Sequence, residues 1–491
     1  MGSIPLPTAP TPLSPRVALL DARAIEDTHL LERAVEPPRL RHPEPLIAPG
    51  QAYGSVLREA DGGWRMYYLH GRFKNDPLRP QDNLGYVTRL ARSRDGLRWQ
   101  TPNVGTVTLD GSTDNNGVMG RAYIDAAGQD LTGRTGPEGF CVLDAAQQEL
   151  PHVRGRYTCL FLAGPSDRYG GLGLAHSEDG IHWHGYPENP LLPGWLDTAA
   201  CFFFDPRIRR YVIYTRPSIL AGPHGANRKI ARSESEDLVN WSLPRTVLDT
   251  DARDAPVERL EQRETTVRGR DRQWYGITAF PWQELTVGLG WLYDVVSGHI
   301  TLELLHSYDG IDWRREATRE PWIADGQAHG LDGHMYIPMS TPPMTVGDEM
   351  WFFVSAANRT HHQPATDDRV PTRIHLFALP RDRWVSYGTR ADREGMLLSM
   401  PFDWRGGRLF LNAAIEEGGA IEIAVCDMAG HPWTGCDLDK INPVAGPADG
   451  VDLPVGYWGE LDKRVLSLPA PGPVRLRFTL RRARLYGWTL G

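Results

Sequence analysis

Ala91-Arg92-Ser93-Arg94-Asp95-Gly96-Leu97-Arg98-Trp99 is the first of four copies of one phrase. The others are Ala175-His176-Ser177-Glu178-Asp179-Gly180-Ile181-His182-Trp183, Ala231-Arg232-Ser233-Glu234-Ser235-Glu236-Asp237-Leu238-Val239-Asn240-Trp241 and Leu305-His306-Ser307-Tyr308-Asp309-Gly310-Ile311-Asp312-Trp313. A worn fifth copy, Leu376-Phe377-Ala378-Leu379-Pro380-Arg381-Asp382-Arg383-Trp384, follows. The steps between successive tryptophans are 84, 58, 72 and 71 residues, the irregular spacing of one supersecondary unit whose loops differ in length.

A second feature repeats as often. Aromatic strands at 64–68, 156–161, 210–214, 273–277 and 349–353 each follow a turn-forming cluster such as Asp61-Gly62-Gly63 or Gly347-Asp348. Radial repetition of small antiparallel sheets protects their edges. The expectation is therefore an all-β chain with a five-bladed β-propeller over 40–387. The Asp-Gly pair suits the positive φ of a tight turn between outer strands, and the tryptophan three residues on suits packing between blades. After about residue 390 the phrase stops, and the strand-like runs 408–426 and 474–489 suggest a β-sandwich over 388–491. Residues 1–39 read as a leader and a short clasp for the main body.

The chain has 491 residues, 41% of them hydrophobic, which suffices for more than one core. A formal net charge of −8 and the absence of a Lys/Arg run argue against nucleic acid as a partner. No apolar run approaches the roughly 18 residues needed to span a bilayer, so no membrane partner is expected. The first sixteen residues lack a secretory pattern. Five cysteines without metal-knuckle spacing read as reduced thiols in a cytoplasm. Neither a cofactor nor a metal is expected, since the adjacent side chains of His361-His362 diverge on an extended chain. Homo-oligomerisation is left open.

These features resemble the glycoside hydrolases of family 32, and more loosely those of families 43 and 68. The likeness is carried by the Ser-x-Asp-Gly-x-x-Trp turns, by Phe203-Phe204-Asp205-Pro206-Arg207 leading into Arg210-Tyr211, and by the ending from Val474-Arg475-Leu476-Arg477-Phe478 to Ala483-Arg484-Leu485-Tyr486. It implies a propeller followed by a sandwich, and an oligosaccharide or glycoside as substrate. The three acidic motifs of family 32 are not in their expected places; Asn75-Asp76-Pro77 imitates the first but follows the second strand of blade one. The chain thus resembles a divergent branch.

Cleaving a glycosidic bond takes two carboxyl groups, one protonated to assist the leaving oxygen and one ionised. Acids just ahead of innermost strands can converge from different blades. Blade three offers Asp197, before the apolar run 199–204, and blade five offers Asp332, ahead of 335–339. Blade four offers Glu261 and Glu264, of which Glu264 is favoured because Thr265-Thr266-Val267 puts it at a strand. Asp197, Glu264 and Asp332 form the expected catalytic trio. Glu138, Glu261, Arg216, His334, Trp195 and His70 are the expected sugar contacts, and 103–138 and 279–298 the insertions that close a pocket for exo action on a furanoside. Each acid has a bland alternative as a turn cap, or as the ion-pair partner of Arg263. Transfer to phosphate or to a sugar, and sugar binding without catalysis, are the competing functions.

Overall fold

The computed structural model describes residues 16–70, 85–133, 136–163, 171–192, 196–217, 228–254, 272–326, 331, 333–362, 372–389, 393–404, 408–433, 441–457 and 472–491, with 163, 197–200, 457 and 472 described by backbone alone. The regular structure of these residues is β-strand apart from short 3-10 turns such as Ala22–Ala24. The chain divides into two compact units, 39–344 with 351–378, and 1–38 with 345–350 and 379–491.

The first unit is built from strand meanders. Sheet I runs Gln51–Arg58, Trp64–Leu69, Thr88–Ser93 and Trp99–Gln100. Sheet II runs Phe140–Asp144, Tyr157–Ala163, Gly171–Ser177 and His184–Gly185. Sheet III runs Leu196–Asp205, Arg210–Pro217, Ile230–Ser235 and Arg245–Leu248. Meander IV runs Arg272–Trp282, Leu285–Asp294, Ile300–Ser307 and Trp313–Arg315. Meander V runs Met335–Pro338, Glu349–Ala357 and Arg373–Pro380, and takes Arg39–Leu40 from early in the sequence as its fourth strand. A single parallel pairing, Ile300 with Met335, joins IV and V into one sheet.

The first strands hold one another in a closed circuit of hydrogen bonds, four links through small polar side chains and the last through the backbone. Ser55 Oγ of sheet I donates to Phe140 O (3.0 Å) and accepts from Val142 N (2.8 Å) of sheet II. Cys141 Sγ of sheet II lies 3.8 Å from Phe202 O of sheet III, and Cys201 Sγ of sheet III donates to Ala279 O of IV at 3.0 Å. Thr278 Oγ1 of IV donates to Met339 O beside the first strand of V (3.1 Å), and Ser340 N donates to Gly54 O of sheet I (2.9 Å). Ser, Cys and Thr suit this place because each offers a short polar arm where backbones approach closely. Burial pushes the Cys141 thiol up to about 11 and raises that of Cys201 well above its usual value, so both stay protonated donors.

The repeated phrase forms one turn four times over. Ser93 Oγ accepts from Gly96 N, while Asp95 Oδ1 accepts from Leu97 N and Arg98 N. The same bonds recur around Ser177 and Asp179, Ser235 and Asp237, and Ser307 and Asp309. The pivot residue has φ of 76° at Gly96, 71° at Gly180, 68° at Leu238 and 71° at Gly310. Neighbouring sheets explain why one copy tolerates leucine. At Gly180 a Cβ would lie 1.9 Å from Arg65 Nη1 and 2.3 Å from Tyr67 Oη, because Tyr67 of sheet I donates to Gly180 O and Arg65 to Asp179 O. The Leu238 side chain instead enters a buried cluster with Leu196, Phe202 and Tyr211. Trp99 meets Phe353 across sheet I and meander V, Trp183 meets Tyr67 across sheets I and II, and Trp313 meets Tyr214 across III and IV, as expected, while Trp241 meets Phe202 of its own sheet.

One expectation is corrected in IV, where the aromatic run 273–277 lies in Arg272–Trp282, the first strand of IV among the described residues. Residues 279–298 are not an inserted loop; they complete that strand and its partner Leu285–Asp294, paired from Arg272↔Asp294 to Trp282↔Leu285. A continuous apolar hairpin was mistaken for one strand and an insertion because periodicity does not mark a turn between two fully buried strands.

In the second unit Leu409–Cys426 pairs antiparallel with Gly472–Leu490, from Leu409↔Leu490 to Cys426↔Arg475. Ile25–His29 and Leu31–Val35 pair with Glu394–Ser399 and Val385–Thr389, so part of the stretch read as a clasp is built into this sheet. Arg383 is buried here, donating to Asn412 Oδ1 (2.8 Å) with its guanidinium 4.3 Å from the Tyr486 ring centroid.

Gly180→Ala adds a collision with Arg65 and Tyr67 to the strain of a positive φ, whereas Gly105, at φ 72°, has open space around it. Denaturant unfolding is expected to show a loss of about 1 kcal/mol for Gly105→Ala and about 3 kcal/mol for Gly180→Ala; equal losses would contradict this account of the turn.

Candidate functional site

Side chains from all five meanders are carried at one kind of position: the start of a first strand, the end of a second or the start of a third. Tyr53 comes from the first strand of sheet I, and Glu138 stands two residues ahead of that of sheet II. Arg216 is near the end of the second strand of sheet III, with Arg228 just ahead of the third. Tyr275 belongs to the first strand of IV and Trp291 and Tyr293 to the end of its second, while Arg359 and His361 follow the second strand of V.

Their contacts form one cluster. Tyr275 sits at its middle, with ring centroids 6.4 Å from Trp291, 5.8 Å from Tyr293 and 5.2 Å from His361. Tyr53 meets the edge of Trp291 at 5.9 Å. The buried Arg216 places its guanidinium 4.3 Å from the Tyr275 centroid and donates to Tyr275 O at 2.9 Å. Arg228 lies over Tyr293 at 5.0 Å and donates from Nη1 to Gln273 Oε1 at 3.0 Å. His361 lies 4.9 Å from the Tyr293 ring, and His362 Nε2 is 3.2 Å from Tyr293 Oη.

The electrostatics follow from three guanidinium groups in a partly dry space. Burial, then Arg228, Arg216, His362 and Arg359, push the His361 imidazole down to about 4, so it is neutral at pH 7. Burial, then the nearby Tyr275 and Glu138, raises the Tyr53 phenol well above its usual value, so it remains a hydrogen-bond donor. Burial draws the Arg359 guanidinium down while Tyr53, Tyr275 and Tyr86 pull it back up. Arginines, neutral phenols and a neutral imidazole together suit an oxyanion and the hydroxyls of a polar ring, with aromatic faces beneath.

Of the expected site residues, Arg216 and Glu138 belong to this cluster. Asp197 is opposite Arg216 in the backbone register, its side chain lying outside the described set. Glu261, Glu264, Asp332 and Trp195 also lie outside the described residues, as do Asn75, Asp76 and Pro77. His70 is half-buried beyond the second strand of sheet I, with its N–H donating to Val87 O. His334 stands just ahead of the first strand of V, its ring stacked on His299 at 4.5 Å. Tyr53, Arg228, Tyr275, Tyr293 and Arg359 were missed, and the pair His361-His362 was weighed as a metal site and set aside. The available signal is positional, since each stands within a few residues of a strand end.

No family model and no curated protein matches the sequence. Among solved structures the protein is similar to a thermostable family-43 glycoside hydrolase (11% identity, 69% of this protein and 91% of that one covered, TM-score 0.46). It is also similar to the endo-arabinase of Bacteroides thetaiotaomicron (11%, 68% and 95%, 0.42) and to the β-1,2-mannobiose phosphorylase of Listeria innocua in complex with β-1,2-mannobiose (12%, 72% and 97%, 0.44). No activity is transferred from them. Among the described residues no helix is long and apolar enough to cross a membrane.

His361 and His375 are both lowered to about 4 chiefly by burial. Since an unfolded histidine titrates near 6.5, the unfolded chain takes up protons before the folded one, and stability falls as pH drops from about 6.5 to about 4. Unfolding midpoints measured across that window are expected to fall, and His361→Gln with His375→Gln to flatten the slope; an unchanged slope would contradict these burials.

Proposed function

We propose that the five meanders are the blades of a β-propeller and that the protein is a carbohydrate-active enzyme cleaving a glycosidic bond at the end bearing Tyr275. The observation that supports this best is the convergence of Arg216, Arg228, Arg359, His361 and the Tyr53, Tyr275 and Trp291 rings from separate meanders, a mix of flat apolar faces and fixed donors that fits a sugar ring. In this reading Asp197, Glu264 and Asp332 supply the carboxyl groups. One, protonated, gives its proton to the leaving oxygen, while another, ionised, attacks the anomeric carbon or activates the attacking water. Arg216 and Glu138 hold hydroxyls of the sugar. A terminal furanoside of a short oligosaccharide is the proposed substrate and the cytoplasm the proposed location, the four described cysteines being free and buried.

The arginines favour a second reading, in which phosphate takes the place of water. A phosphate oxygen would attack the anomeric carbon, the leaving oxygen would take the proton of the acid, and the product would be a sugar 1-phosphate. Bidentate guanidinium groups match such an oxyanion.

Sugar release from a panel of furanosides and pyranosides, with and without inorganic phosphate, decides between them. Asp197→Asn is expected to lower turnover at least about 100-fold on either reading. Arg216→Ala is expected to raise the KM for phosphate at least about tenfold only if phosphate is the acceptor. Saturable sugar binding without turnover, unaffected by Asp197→Asn, would overturn the enzyme assignment.

A further inference from the structure

We propose that His299, Asp325 and His334 form a binding site for a divalent transition-metal ion of the zinc class. Their ligand atoms all lie within 4.8 Å of one another. His299 Nδ1 is 2.5 Å from Asp325 Oδ2, and the His299 and His334 rings are nearly parallel, 15° apart with centroids at 4.5 Å. An imidazole lone pair lies in the plane of its ring, so the stack sets the two rings side by side, and a turn of one of them aims both nitrogens at one ion. His334 Nδ1 is shut off from solvent and has no hydrogen-bond partner, a cost that a metal bond or a ring rotation onto the metal removes.

Backbone bonds hold the three residues together. Ile300 N donates to His334 O at 2.8 Å, which sets His299 beside His334. Gly326 and Gly333 exchange two hydrogen bonds, at 2.7 and 3.3 Å, in an antiparallel bridge that sets Asp325 across from His334. His334 N is itself tied to Ala357 O at 2.9 Å. The triad is therefore fixed by meanders IV and V and not by loop packing alone.

Two imidazoles and one carboxylate are the donor set of zinc and its first-row neighbours, and they do not suit calcium or magnesium, which take oxygen ligands. Zinc bonds of about 2.0–2.2 Å place tetrahedral ligands roughly 3.4 Å apart. Turning one imidazole out of the stack and moving Asp325 off the His299 nitrogen brings the three donors to an ion between them. Three protein ligands leave a fourth position open to water or a further ligand. Asp325 is exposed and His299 about a quarter exposed, which gives an ion a path in. This inference does not rest on the proposed glycosidic chemistry.

The test is calorimetric titration of chelator-treated full-length protein with Zn2+, repeated with Co2+ while recording visible absorption. One saturable equivalent is expected, with Co2+ bands showing nitrogen ligation. His334→Ala and His299→Ala are expected to weaken binding by about 100-fold and abolish the bands. Asp325→Asn, a surface change that leaves the fold intact, is expected to weaken it about tenfold. No saturable binding by the parent protein, or one equivalent bound unchanged in Asp325→Asn and either histidine variant, would overturn the site.

Discussion

Sideways closure of the first strands is the constraint on which the first unit depends. Each meander alone would leave the apolar faces of strands such as Phe140–Asp144 and Leu196–Asp205 in water. The polar bridges through Ser55, Cys141, Cys201, Thr278 and Ser340 bring every first strand within reach of the next. Packing density demands small residues there, and hydrogen bonding demands that they be polar where backbone carbonyls are exposed to a neighbour. Further out, the Ser-Asp turns lock the same neighbours again through Arg65 and Tyr67, and through Tyr214, which donates to Gly310 O. The two layers of contact explain why the turn phrase recurs so faithfully.

That recurrence is also why the architecture was legible. A turn whose side chains cap its own backbone leaves a sequence signature at fixed spacing, and Ser93, Asp95, Gly96 and Trp99 do what their types suggest. Meander IV was less readable because Arg272–Trp282 and Leu285–Asp294 are buried along nearly their whole length, which erases the alternation that separates strands. Closure of V by Arg39–Leu40 was not legible at all, since pairing between residues more than three hundred positions apart leaves no local mark.

The site was legible in a narrower way. Asking which acids precede a first strand led to Glu138 and to Asp197, whose backbone faces Arg216. It did not lead to Tyr53, Tyr275 or Arg359, because a phenol or guanidinium in a strand reads as core or surface until the partner meander is known. Burial first, and then the charges of Arg228, Arg216 and Arg359, hold His361 neutral, and of the three arginines only Arg359 is near it in sequence.

The central claim is that this arginine and tyrosine cluster is where substrate binds. A crystal structure of the protein soaked with inorganic phosphate and the sugar it releases tests that claim most directly. The account predicts ligand density against Tyr275, with an oxyanion or hydroxyls bonded to Arg216, Arg228 or Arg359. Density seated elsewhere, with this cluster filled only by water, would contradict it.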